Sequence, residues 1–182
     1  MRDILYRRNL IYGECDFILS KLDGDLVVIL AGDYHKGHLF DCYKYDVDGY
    51  IIPAYNRKQF MVAVDLAMDM GSDVVIYRPE RIFSFDMFHL LNNILYKLLI
   101  RYDKTVIILS SAISSRRFPP PPYMPHFVRH LCDVVAYARR GFNAYVLYLL
   151  KHPTLPYSKV SIRCLDGEEF PELPVLLEKI GK

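Results

Sequence analysis

Apolar positions along this chain fall in short unbroken runs bounded by turn residues, and these alternate with longer segments in which apolar positions recur every three or four residues. "LVVIL" (26–30), "DVVIY" (73–77) and "TVIILSSA" (105–112) are of the first kind. A continuous apolar run of that length suits a strand buried on both faces, as in a parallel sheet. "GYIIPAY" (49–55), entered from the acidic turn "DVDG", reads as a further strand. In "NRKQFMVAVDLAMDMG" (56–71), Phe60, Val64, Ala67 and Met68 share one helical face and Gly71 is a natural stop. From a cap at Ser84, "FDMFHLLNNILYKLLIRY" puts Phe88, Leu91, Leu95, Leu98 and Tyr102 on one stripe, the strongest helical pattern in the chain. "DFILSKL" (16–22) reads as a short helix before an "LDGD" turn.

The order strand, loop, strand, helix, strand, helix, strand calls for parallel pairing with helical crossovers. The pattern changes at "ISSRRFPPPPYMPH" (113–126), where four consecutive prolines exclude both a helix and a central strand and predict a stiff, extended excursion. Beyond it, "HFVRHLCDVVAYARR" starts as a short helix and passes into a strand, and "FNAYVLYLLKH" and "SKVSIRCL" form an antiparallel hairpin across "PTLPY". The expectation is one α/β domain over 1–182, with its core at about 13–165 and a tail at 166–182.

With 182 residues, 52% of them hydrophobic, one domain with a substantial core is expected. No apolar run approaches the ~20 residues that cross a bilayer. The N-terminus lacks the unbroken apolar stretch of a secretory signal, so a cytoplasmic protein is expected, with no membrane partner. Cys15, Cys42, Cys132 and Cys164 are widely spaced with no CxxC, which favours reduced thiols. A net charge of +2 exerts no strong overall pull on nucleic acid, so any such contact has to be local. Fifteen tyrosines and no tryptophan fit either core packing or a stacking surface.

Candidate chemistry begins at "AGDYHKGHLF" (31–40), where Gly32 and Gly37 have the glycine spacing of a phosphate-binding P-loop. The lysine of that motif is replaced by His38 and its hydroxyl residue by Leu39. An unperturbed histidine is only about 25% protonated at pH 7. Losing two charge-assisted bonds costs about two to four powers of ten in phosphate affinity. Neither a GxSxG nor an HExxH motif occurs.

"GDYHKG" after "LVVIL", "SDVVIY" before a long helix, "KTVIILSSAISS" and "HLCDVVAYARRGFNAYVLYLLKHPTLPYSKVSIRC", taken in order, resemble the ATPase core of the RecA/RadA recombinases. The likeness is to the short archaeal RadA paralogs, RadB-like in size, and spans about 13–165. The resemblance implies a RecA-like P-loop NTPase core whose nucleotide site is degenerate. Tyr77 and Arg78 stand where the family's acidic Mg²⁺ partner would fall, with Glu80 beyond a proline, and Ala112 stands where its polar sensor would fall. The stretch between 32 and 49 is too short for the family's usual strand and catalytic glutamate.

In these recombinases the loop after the fourth strand helps bind DNA. The resemblance assigns that place to 113–126, where Arg116 and Arg117 are suited to phosphates and Phe118 and Tyr123 to base stacking. The competing reading is a rigid loop whose aromatics pack back on the body. "FMVA" (60–63) matches the family's protomer-linking FxxA pattern but lies on a core-facing helix. His35, His38 and Cys42, and separately His126 and His130, are candidate metal ligands that lack a fourth partner at zinc spacing, so no metal is expected.

The sequence therefore predicts a non-enzymatic RadA-like paralog, without cofactor, that modulates homologous recombination and DNA repair. Its partners would be a RadA-type recombinase, another paralog, a second copy of itself or single-stranded DNA. The alternatives are a weak or repurposed ATPase or nucleotide sensor, and a structural interaction module unrelated to DNA.

Overall fold

A computed structural model describes residues 4–22, 24–32, 49–141 and 144–163. Among the described residues eight strands form a single sheet: β1 (Arg8–Gly13), β2 (Leu26–Ala31), β3 (Tyr50–Ala54), β4 (Asp73–Tyr77), β5 (Val106–Ser110), β6 (Val134–Arg140), β7 (Ala144–Lys151) and β8 (Ser158–Arg163). Their spatial order is β3-β2-β4-β5-β1-β6-β7-β8. The pairs from β3 through to β6 are parallel, while β6–β7 and β7–β8 are antiparallel. The protein is thus an α/β fold with a mostly parallel sheet and a closing antiparallel hairpin.

The unbroken apolar strands lie in the interior of the sheet. Every residue of β2 and β5 is buried, because side chains alternate between two covered faces. On one face, Val27, Ile29, Val74, Ile76, Val106 and Ile108 pack under three helices, α1 (Arg57–Met70), α2 (Phe88–Arg101) and α3 (His126–Leu131). On the other, Val28, Leu30, Val75, Ile107 and Leu109 pack under Ile4 and the 3₁₀ turn Asp16–Lys21 through Phe17, Ile18 and Leu19. The edge strand β3 carries Pro53, which lacks the donor a central strand needs.

Helix α1 is set by its ends. The Asn56 side chain accepts from the Gln59 N–H, and Gly71 closes the helix at φ 70°. Phe60, Ala63, Val64 and Ala67 face inward, and Met68 is only partly buried at the margin of that face. Phe60 and Ala63 of the "FMVA" pattern are therefore core residues.

Helix α2 departs from expectation at both ends. One 3₁₀ turn, Phe85–Met87, precedes it, and the Ser84 hydroxyl donates to Asp86 Oδ1 rather than accepting from a helix N–H. Tyr102 leaves the helix in extended geometry, and its hydroxyl donates to the Ser72 carbonyl at 2.6 Å.

β1 is the element the apolar pattern did not announce. "RNLIYG" begins with arginine and asparagine and reads as polar, yet the strand lies between β5 and β6, and Asn9 is fully buried. Asn9 Nδ2 donates to the Val106 carbonyl at 3.1 Å and to the Tyr6 carbonyl, while its Oδ1 accepts from the Tyr6 N–H. Tertiary partners thus satisfy the amide that made the segment read as surface.

Candidate functional site

The connection leaving β1 runs along the sheet to β2, whereas those leaving β4 and β5 run the opposite way, the latter passing over β1 to β6. Connections leaving the neighbours β1 and β5 thus run in opposite directions, as do those leaving β2 and β4. In open α/β sheets the ligand crevice lies outside the carboxyl ends of the strands at such a reversal. Here those ends bring together Gly13–Asp16 after β1, Arg78–Glu80 after β4 and Ser110–Ser111 after β5.

Arg78 occupies the crevice. Its backbone sits in the left-handed region at φ 57° and ψ 49°, a conformation that costs a non-glycine residue about 1–2 kcal/mol. That turn aims the guanidinium inward. Nη2 meets Asp16 Oδ1 at 2.5 Å and the Gly13 carbonyl at 3.3 Å, and Nη1 donates to Ser111 Oγ at 2.8 Å. Glu80 completes the network: Oε1 accepts from the Ser111 N–H at 2.7 Å and lies 3.8 Å from Arg78 Nη1, while Oε2 accepts from the Ser110 hydroxyl at 3.2 Å. Arg78 Nε has no partner among the described residues.

Burial opposes the charge on Arg78, but the Cys15 sulfur and the Asp16 and Glu80 carboxylates outweigh it, and the net shift of its pKa is upward. Burial pushes the Cys15 thiol up to about 12, so it is neutral at pH 7, and its sulfur donates weakly to the Ser110 carbonyl. Within this network one cation faces two carboxylates, a net charge of −1. That is the wrong sign for a polyphosphate.

Tyr77 turns to the opposite face, where it is fully buried, and the guanidinium carbons of Arg78 and Arg81 lie 5.6 and 5.5 Å from its ring centre. Gly32 follows β2, which pairs directly with β4, and takes φ 128°. Its N–H donates to the Ala54 carbonyl at 3.0 Å, and the stem of Arg81 lies where a side chain on Gly32 would begin. The one P-loop glycine that can be placed thus has its donor engaged by the edge strand. Gly37, His38 and Leu39, like His35 and Cys42, lie outside the described residues.

The proline segment folds back rather than projecting freely. Ile113 N–H donates to the Pro121 carbonyl and Tyr123 N–H to the Ser111 carbonyl, with an Ala112–Pro122 bridge between them. Arg116 and Arg117 are exposed at its tip. The two aromatics expected to stack on bases face different parts of the body: Tyr123 packs on Phe85 and Phe88 with ring centres at 4.2 and 5.6 Å, whereas Phe118 stands edge-on to Tyr137 and Tyr148 at 5.8 and 5.0 Å. His126 and His130 do meet, Nδ1 to Nε2 at 3.1 Å, but no group of three metal-ligating side chains occurs among the described residues. No described helix is long and apolar enough to cross a membrane.

A cavity of about 520 Å³ opens at the opposite, amino ends of the strands, lined by Lys21, Asp25, Asp73 and Lys104 among others. Asp25 accepts from the Ser72 hydroxyl and Asp73 from the Thr105 N–H, so both carboxylates hold strand entries together.

Sequence reasoning missed Asp16 and Glu80 as partners of Arg78, because Asp16 lies 62 residues away and the contact with Glu80 depends on the left-handed turn at Arg78. It also missed a signal that was legible. Residues 104–163 contain nine lysines and arginines and a single acid, Asp133, so the modest net charge hides a strongly basic segment. The class defined by fold and site is an α/β protein whose switch-point crevice is filled by an internal ion network. Comparison with protein-family models and with curated proteins returned no match.

Proposed function

We propose that the chain is a non-catalytic relative of the RecA/RadA recombinases that modulates homologous recombination and DNA repair by binding the recombinase, single-stranded DNA or both. The observation that carries the reading is the position of Arg78. A guanidinium held by Asp16, Ser111 and the Gly13 carbonyl lies in the crevice at the carboxyl ends of β1, β4 and β5, the place where sheets of this kind take their ligands, and Glu80 ties down the neighbouring N–H of Ser111. Together with His38 and Leu39 in place of the P-loop lysine and hydroxyl, this supports a protein that takes no cofactor and consumes no ATP.

A role in partner binding draws support from α1. Val62, Leu66 and Met70 recur at four-residue steps, with Met61 beside them, and all four are exposed between 41% and 57%. A groove of about 260 Å³ next to them is lined by Met61, Val64, Phe83, Leu90 and Ile94. Apolar surface of this kind marks a protein-interaction site. On this reading the partner there is a RadA-type recombinase, another paralog or a second copy of the chain, in the cytoplasm.

Two experiments test the proposal. Titrating ATP·Mg²⁺ into the purified protein should give no saturable binding and no phosphate release, whereas bound and hydrolysed nucleotide would establish the ATPase or nucleotide-sensor reading instead. Gel filtration with the purified recombinase of the same organism should show co-elution that Val62→Glu with Leu66→Glu abolishes. Failure to co-elute, with strand exchange unaffected, would leave an interaction module unrelated to recombination.

A further inference from the structure

Register across β1, β6, β7 and β8 places four side chains in one row. Tyr12 is paired with Tyr137, Tyr137 with Tyr148, and Tyr148 with Lys159. Directly paired residues project from the same face of a sheet. The ring centres of Tyr12 and Tyr137 are 5.4 Å apart and those of Tyr137 and Tyr148 are 6.0 Å apart, the latter pair close to parallel at 26°. Lys159 Nζ lies 6.0 Å from the Tyr148 ring centre. Tyr12 is buried, whereas Tyr137 and Tyr148 are half-buried, and Phe118 stands over both with 56% of its surface exposed.

Positive charge surrounds this platform. Arg139, two residues beyond Tyr137 and so on the same face, is exposed, as are Arg116 and Arg117 immediately ahead of Phe118. The one acid of the 104–163 segment, Asp133, is engaged elsewhere by Arg8. The charge of Glu14 acts on Tyr137, and its Oε2 already accepts from the Arg140 N–H at 2.6 Å.

We propose that this face of β6, β7 and β8 is a seat for single-stranded nucleic acid, with bases stacked on Phe118, Tyr137 and Tyr148 and phosphates held by Arg116, Arg117, Arg139 and Lys159. The inference rests on the single-strand contact in the proposed function and moves its centre from the proline loop to the sheet. Aromatic platforms lined by cations are how proteins hold single strands without reading sequence. The near-parallel rings of Tyr137 and Tyr148 are 6.0 Å apart, wider than the ~3.4 Å rise along a nucleic-acid strand, so bases seated on them are splayed from regular helical stacking.

Fluorescence anisotropy on the full chain with labelled dT30, rU30 and a 30-base-pair duplex tests the seat. Wild type should bind the single strands and bind the duplex more weakly, and comparison of dT30 with rU30 shows which sugar is preferred. Tyr137→Leu with Tyr148→Leu should weaken binding about tenfold or more, and Tyr137→Phe with Tyr148→Phe should restore it. Arg139→Ala with Lys159→Ala should lower the slope of log affinity against log salt by about 1.4. Native circular dichroism in the leucine variant together with unchanged affinity would overturn the seat. If Arg116→Ala with Arg117→Ala then abolished binding, the loop alone would be the contact and the proposed function would stand. Duplex binding as tight as single-strand binding, or no single-strand binding at 50 mM salt, would also overturn it, while co-elution with the recombinase judges the proposed function separately.

Discussion

Arg78 reaches Asp16 at 2.5 Å across 62 residues of sequence, fastening the end of β4 to the turn that leaves β1. The contact closes the crevice at the carboxyl ends of these strands. Removing one partner of a buried ion pair leaves the other charge unmatched, which costs about 3–5 kcal/mol in fully buried cases. Asp16 is 35% exposed, so the low end of that range applies.

Arg78→Ala should therefore lower the stability measured by urea unfolding by about 3 kcal/mol. Arg78→Gly loses the same contacts but relieves the left-handed backbone, and should be about 1 kcal/mol more stable than the alanine variant. Equal midpoints for the two variants would show that the φ of 57° carries no strain.

Two glycines in positive φ should respond differently to alanine. At Gly13, with φ 98°, an added Cβ would meet the Ala138 carbonyl oxygen at 2.4 Å, and backbone cannot step aside as a side chain can. At Gly71, with φ 70°, nothing lies within 4 Å. Gly71→Ala should cost about 1 kcal/mol, the conformational term alone, and Gly13→Ala about 3 kcal/mol or more. Thermal unfolding of the two variants side by side checks the ranking.

The polar group that anchors the end of α2 can be tested in isolation. Tyr102→Phe removes the hydroxyl that donates to the Ser72 carbonyl at 2.6 Å and keeps the ring in the core. The expected loss is about 1 kcal/mol, since the buried carbonyl is left with one partner fewer. A loss below about 0.3 kcal/mol in chemical unfolding would mean that water replaces the bond.

Cys15 and Cys132 are buried, and burial pushes each thiol up to about 12. The folded state holds both protons more tightly than the unfolded chain. These thiols therefore contribute stability that is present in full below the ordinary thiol value of 9.0 and lost as pH rises toward about 12. At pH 8 iodoacetamide should label neither site in the native protein and both in denaturant. Rapid labelling of Cys15 under native conditions, read by peptide mass spectrometry, would show that the crevice opens.

Much of the fold is written locally. The apolar runs at 26–30 and 73–77 are strands to within a residue, and α1 begins and ends at Asn56 and Gly71 because an Asx cap and a left-handed glycine are short-range devices. The closing strands were legible for the same reason, through apolar content and the proline-rich turn between them. What the sequence alone determined is where backbone hydrogen bonding and apolar periodicity favour each element, since those depend on neighbours a few residues away. Only the tertiary structure decided that polar-looking β1 lies near the middle of the sheet, that Arg78 turns inward to Asp16, and that Tyr12, Tyr137, Tyr148 and Lys159 share a row. Each of these depends on partners tens of residues away, and the register between strands remote in sequence determines which side chains meet.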